Sequence, residues 1–137
     1  MELFSTSHIA ALAAVVLACT AVFLMRSRLA HGNASRSFRL GLALILVIMD
    51  IVNHIRYIAT GEWSVMYSLP LHLCDISLYM SIAMLLTRNY LLFEITYFWG
   101  FGGATQALLT PDLIAYSFPH FVFYQFFIAH GSILLAS

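Results

Sequence analysis

The sequence contains no lysine, and all six of its basic residues are arginines. Charged residues make up only 9% of the 137 residues, and the formal net charge is zero. Ordinary soluble domains have about 25% charged residues, so this composition argues against that class. A chain without a positive net charge also gives no reason to bind nucleic acid, and we expect no such partner.

Cysteine is scarce as well, with Cys19 and Cys74 in different apolar segments. A disulfide is therefore not expected, and neither cysteine has the spacing of a zinc ligand. The six histidines form no HxxxH pair, and no segment carries a Glu-x-x-His pair. The sequence predicts no metal site and no cofactor.

Hydrophobic residues, by contrast, make up 62% of the chain. A helix needs about 20 mostly apolar residues to cross a bilayer. We therefore predict an all-α fold, a single domain over residues 1–137 that forms a polytopic transmembrane bundle of about five helices. The predicted spans are 7–25, 39–59, 70–86, 90–109 and 119–136.

The last predicted span ends without a polar tail. We expect either that the chain is a truncated form of a larger bundle or that a second copy completes it as a homo-oligomer. The arginines predict the orientation, because cytoplasmic loops are enriched in positive charge. With the N-terminus outside a cell membrane, the inner side holds five of the six, namely Arg26, Arg28, Arg36, Arg39 and Arg88.

A polar stripe crosses the second predicted helix. Its members recur every three or four residues and so share one helical face: Asp50, Asn53, His54 and Tyr57. Ionisable groups in a membrane helix usually face the bundle interior and mark a functional site. The alternative is an interhelical hydrogen-bond lock, in which Asp50 pairs with an arginine or a histidine.

A second polar group lies in the stretch "LPLHLCDISLYM", residues 69–80. At 100° per residue, His72, Asp75 and Tyr79 share one face, and the face of Cys74 is roughly opposite. His72 is therefore a poor base for the Cys74 thiol. A base would have to come from another helix, and His54 and His130 are the candidates.

Depth along the helices brings several unusual residues together. At 1.5 Å per residue, Asp50, Cys74, His130 and the glycine run 100–103 all fall about 14–20 Å from the inner edge of the bilayer core. Gln106 follows the glycines and is a candidate supporting residue. A nearby histidine can activate a thiol. The alternative is a packing role for the cysteine and the glycines.

Three motifs occur in order: Pro-x-His-x-Cys at 70–74, "YFWGFGG" at 97–103 and "FFIAHG" at 126–131. Together they resemble the YwaF-type family of bacterial integral membrane proteins, over roughly residues 40–137. That family is similar to the vertebrate transmembrane acyltransferase that acts on ether-linked ethanolamine phospholipids. The resemblance implies that Cys74 is a nucleophile and His130 its base. It also implies that membrane phospholipids are the partners.

Two functions follow as hypotheses. The first is a phospholipid acyltransferase or acyl hydrolase, in which Asp50 or Asp75 orients a histidine and His54 or Asn53 steadies the oxyanion or head group. The second is a non-catalytic transporter or channel-like bundle, with a polar path through Asp50, His54, Asp75 and His130. Cys74 separates them, because only a thioester mechanism requires its thiol.

Overall fold

The computed structural model describes residues 3–64, 73–113 and 116–137. These residues form six helices and no strand: α1 (Thr6–Leu24), α2 (Arg26–Leu29), α3 (Gly32–Ala59), α4 (Leu73–Thr87), α5 (Tyr90–Leu109) and α6 (Phe121–Ala136). The prediction of an all-α bundle is confirmed. Five of the six are long helices, and α2 is a single turn.

The observed helix ends differ from the predicted ones chiefly at α3. This helix begins at Gly32, whereas the sequence prediction started it at residue 39. The prediction followed hydropathy, which falls in the polar stretch 32–38, but that stretch contains no proline and continues as helix. Arg36 therefore lies on a helix and not in a loop. The predicted start of the third span, 70–72, lies outside the described residues.

Three helices begin with a side chain that accepts a hydrogen bond from the first turn. Ser5 accepts from the backbone N–H of His8 at 3.4 Å, and Asn89 accepts from Leu92 at 3.2 Å. His120 does the same for α6 through its Nδ1. Such caps satisfy N–H groups that have no partner within the helix, which defines where α1, α5 and α6 start.

The core lies where α3, α4, α5 and α6 meet. Leu42, Ala43 and Leu46 of α3 are buried against α4 and against Ile133 of α6. A second apolar cluster joins the end of α5 to α6 and reaches α1 at the edge of the bundle. The four inner helices thus form the frame that positions side chains at the centre.

Two hydrogen bonds define which helix ends lie together. The Arg39 guanidinium donates to the carbonyl of Leu85, so the start of α3 lies beside the end of α4. The His8 Nε2–H donates to the carbonyl of Leu108 at 2.9 Å, so the start of α1 lies beside the end of α5. The turn that carries Arg88 is therefore at the same end of the bundle as Arg36.

Helix lengths and surfaces suit a lipid environment. Among the described residues, α1 with 19 residues and α3 with 28 are long and apolar enough to cross a membrane, and α4 and α6 are apolar but shorter. Large apolar side chains are open on the outer faces, including Leu17 (69% exposed) and Phe98 (73% exposed). Exposed apolar side chains on helices of membrane length fit contact with lipid.

Candidate functional site

A small internal cavity lies between α4, α5 and α6. The space open to the centre of a water molecule is about 10 Å³. This is close to the smallest cavity that can hold one water molecule. The residues that line it are Leu73, Cys74, Ser77, Gly103, Ala104, His130 and Ile133. Cys74 and His130, the two residues to which the sequence resemblance gives catalytic roles, thus line the same cavity.

The hydrogen bonding of His130 determines which ring nitrogen carries the proton. Its Nδ1 lies 2.9 Å from the carbonyl oxygen of Phe126, and a carbonyl can only accept. The proton is therefore on Nδ1, and Nε2 has a free lone pair. Nε2 is buried and has no hydrogen-bond partner among the described residues. An unprotonated, unpaired imidazole nitrogen is what a base for a neighbouring thiol requires.

Cys74 is the second residue of α4 and is exposed. The sequence analysis placed Cys74 near the middle of the bilayer, and in the structure the residue both lines the cavity and is partly open to the outside. Ser77 lies three residues on, lines the same cavity and donates its hydroxyl to the Leu73 carbonyl at 2.8 Å.

The glycines of α5 divide into two kinds. A Cβ added at Gly100 would collide with the Ser137 hydroxyl, so this glycine permits close packing of α5 against the end of α6. A Cβ at Gly103 would meet nothing within 4 Å, and neither would one at Gly102. Gly103 lines the cavity, so at that position the missing side chain leaves room rather than a packing contact.

The polar stripe of α3 forms a separate cluster with α4. The Tyr79 hydroxyl donates to Asp50 Oδ2 at 3.0 Å, and His54 Nδ1 lies 3.6 Å from the other carboxylate oxygen. His54 Nδ1 also lies 3.1 Å from the Asp50 carbonyl, to which it donates. None of the three lines the cavity, so of the two candidate bases it is His130 that shares a cavity with Cys74.

The other candidate residues either do not line the cavity or lie outside the described residues. Asn53 accepts a hydrogen bond from Arg56 of its own helix at 3.4 Å. Gln106 is exposed and donates to Thr110 at 2.7 Å. Asp75 is partly buried beside Cys74 in sequence, and His72 lies outside the described residues. Within the described ranges, no three His, Cys, Asp or Glu side chains are close enough to hold a metal ion.

Sequence reasoning missed a second buried histidine, His8. It is fully buried: its Nε2–H donates to the Leu108 carbonyl, and its Nδ1 accepts from the backbone N–H of Phe4 at 3.1 Å. Both nitrogens are satisfied, so His8 acts as a structural link between α1 and α5. The only signal in the sequence was a histidine at the polar start of an otherwise apolar helix. Such a signal does not indicate which residue the histidine will contact.

These features indicate a helical membrane protein: membrane-length apolar helices and an outer surface rich in apolar side chains. The family model described as the TMEM164 family matches residues 3–137, and the chain therefore belongs to the TMEM164 family. No curated protein and no solved structure matches the chain.

Proposed function

We propose that this protein is a multi-pass protein of the cell membrane that transfers or hydrolyses acyl groups of phospholipids. Cys74 is the nucleophile and His130 is its base. The observation that carries the proposal is the cavity that both Cys74 and His130 line, together with the buried Nε2 of His130, which has no hydrogen-bond partner in the described part of the chain. The motif resemblance to YwaF-type proteins supports the same assignment.

The orientation we propose has the N-terminus outside. Arg36 and Arg88 share one end of the bundle, whereas Arg56 lies near the opposite end of α3. Positively charged residues favour the cytoplasmic side, so the end with Arg36 and Arg88 faces inward. The start of α1, beside the end of α5, then faces outward.

In the first half-reaction, His130 Nε2 takes the proton of the Cys74 thiol. The thiolate attacks the carbonyl carbon of a phospholipid ester, and the ester C–O bond breaks. The imidazolium returns its proton to the departing oxygen, which leaves as the hydroxyl of a lysophospholipid. The product on the protein is an acyl thioester of Cys74.

In the second half-reaction, a hydroxyl group attacks the thioester carbonyl. His130 Nε2 takes the proton of that hydroxyl, the C–S bond breaks, and the proton passes to the sulfur. If the hydroxyl belongs to a second lysophospholipid, the outcome is acyl transfer, and if it belongs to water, the outcome is hydrolysis. No cofactor is needed for either half.

The test is labelling of detergent-purified protein with an alkyne-tagged, long-chain iodoacetamide. We compare the wild type with Cys74→Ala, Cys19→Ala and His130→Gln; Cys19 is the control thiol on α1. Labelling should require Cys74 and should fall by on the order of 100-fold in His130→Gln, since general-base assistance is worth about that much or more.

The wild type is then incubated with phosphatidylcholine that carries a labelled acyl chain. The proposal expects a hydroxylamine-sensitive acyl group on Cys74. Slow, equal alkylation of both cysteines and no acyl-protein would refute it. That outcome would favour the alternative, a polar path for transport through Asp50 and His54, which tolerates Cys74→Ala.

A further inference from the structure

A long apolar groove runs between α1 and α6. Its volume is about 880 Å³, near the upper end of the roughly 300–1,000 Å³ typical of ligand sites. The wall contributed by α1 is rich in alanine, and that of α6 in phenylalanine. None of its lining residues also lines the cavity that contains Cys74. The two sites therefore use different faces of α6.

The groove is a built concavity and not simply the outside of a helix. The start of α1 is anchored by the buried His8, which donates to the Leu108 carbonyl. Further along, α1 approaches α6 closely: a Cβ added at Gly131 would lie 3.2 Å from a methyl group of Val15. Because the adjoining positions on α1, such as Ala14, have small side chains, space remains between the two helices.

One end of the groove is polar. Ser5, Thr6 and Ser7 line it at the start of α1, and the hydroxyls of Ser5 and Ser7 lie 3.2 Å apart. The rest of the wall is mainly apolar, with Tyr124 and Ser132 as its other hydroxyl-bearing residues. A ligand that matches this pattern carries hydrogen-bond acceptors at one end and hydrocarbon along the remainder.

The length of the groove distinguishes between possible occupants. From Ser5 to Ala18 α1 rises about 20 Å. Half of a bilayer core is about 15 Å, so the groove matches one acyl chain in one leaflet together with its ester group. A transmembrane helix from a second copy would instead make a seam over the full bilayer core of about 30 Å.

We infer that the groove between α1 and α6 binds one acyl chain of a membrane phospholipid, with the ester group at the hydroxyls of Ser5, Thr6 and Ser7. The site is separate from the Cys74–His130 cavity and does not depend on catalysis there. With the N-terminus outside, the lipid comes from the outer leaflet, because the polar end lies at the start of α1.

The chain offers a matched pair of variants for the test. Ala13 and Ala14 are adjacent and exposed on α1, and only Ala14 lines the groove. The full chain is reconstituted in phosphatidylcholine vesicles that contain a phosphatidylcholine with a diazirine in mid-chain. Crosslinked peptides are then mapped in the wild type, Ala13→Trp and Ala14→Trp.

We expect wild-type crosslinks on the facing sides of α1 and α6. Their yield should fall about ten-fold in Ala14→Trp, equivalent to about 1.4 kcal/mol of affinity, and stay unchanged in Ala13→Trp. If the tryptophan disturbs the fold, Ala13→Leu and Ala14→Leu repeat the comparison with a smaller side chain. Labelling of the groove should persist in Cys74→Ala, which separates this inference from the proposed catalysis.

Two results would overturn the inference. Equal crosslinking in the Ala13 and Ala14 variants, spread over all exposed faces of α1, would mean that only bulk lipid contacts the helix. Rapid disulfide formation between two copies of an Ala14→Cys variant that also carries Cys19→Ala and Cys74→Ala, with no lipid crosslink, would mean that a second copy fills the groove.

Discussion

Two buried histidines, His8 and His130, differ in whether both of their ring nitrogens are hydrogen-bonded. His8 uses both ring nitrogens, one toward the Leu108 carbonyl and one toward the backbone N–H of Phe4. His130 uses only Nδ1, and its Nε2 stays buried without a partner among the described residues. An unsatisfied buried nitrogen costs about 1–3 kcal/mol. Groups held at such a cost often have a functional role, and the role we assign to Nε2 is proton transfer.

Two serines of α4 allow the contribution of a cavity hydroxyl to be measured. Ser77 and Ser81 are both buried and donate to the carbonyl four residues earlier, at 2.8 and 2.7 Å. Only Ser77 lines the cavity. We expect Ser77→Ala to slow acylation of Cys74 by on the order of 100-fold, because its hydroxyl can turn toward the developing oxyanion. Ser81→Ala should leave that rate unchanged, and equal rates in the two variants would contradict a role for the hydroxyl.

At the residue scale, we expect the stability of the protein to depend on the ionisation of Glu62, which lies just beyond the end of α3. A hydrogen bond from Arg56, at 2.9 Å, holds the pKa of this carboxyl below its ordinary value of 4.5. A lowered folded-state pKa gives a stabilising contribution that is present above the unfolded pKa and lost as pH falls through the folded one. Thermal unfolding measured downward from pH 6 should therefore show a small loss below about pH 4.5. Glu62→Gln should lack this component, and the same pH profile in both proteins would disprove it.

At the scale of helices, α5 decides how much room the cavity has. Gly102 and Gly103 are neighbours, and a Cβ at either meets nothing within 4 Å, but only Gly103 lines the cavity. Gly103→Leu should fill the cavity and slow alkylation of Cys74 by a long-chain iodoacetamide by about ten-fold or more, equivalent to at least about 1.4 kcal/mol. Gly102→Leu adds the same volume on the exposed side and should leave the rate unchanged. A similar loss in both variants would mean that α5 was disturbed as a whole.

The contact of α3 with α4 shows what helical periodicity can and cannot predict. The spacing of Asp50 and His54 placed both on one face, and His54 Nδ1 does lie 3.6 Å from Asp50 Oδ1. The same reasoning expected an arginine or a histidine as the partner of Asp50. Tyr79 of α4 is a further partner, because its hydroxyl donates a hydrogen bond to Asp50 Oδ2 at 3.0 Å. Periodicity assigns a residue to a face, whereas the partner depends on how two helices pack.

At the scale of the whole molecule, the orientation can be tested directly. In a protein whose Cys19 and Cys74 are changed to alanine, single cysteines are introduced at Ser27, in the turn of α2, and at Thr60, just beyond α3. A membrane-impermeant maleimide added to intact cells should label Thr60→Cys and spare Ser27→Cys until the membrane is opened. The reverse pattern would place the N-terminus inside.

The sequence by itself determined the class of fold and the position of most helices. The predicted span 90–109 and the observed α5 have the same ends, because an apolar run with a capping residue is a local signal. The choice of Cys74 and His130 also came from the sequence, through helical depth and motif resemblance. Helices of a bundle must bury their few polar groups, and this limits the solutions before any packing is known.

Tertiary structure decided what local signals cannot carry. Packing of α4, α5 and α6 brought His130, and not His54, to the cavity of Cys74. The fold also buried His8 at the end of α5 and left a groove along the alanines of α1. These relations join residues far apart in the chain. Their geometry depends on crossing angles and side-chain volumes at helix interfaces, which hydropathy and periodicity do not encode.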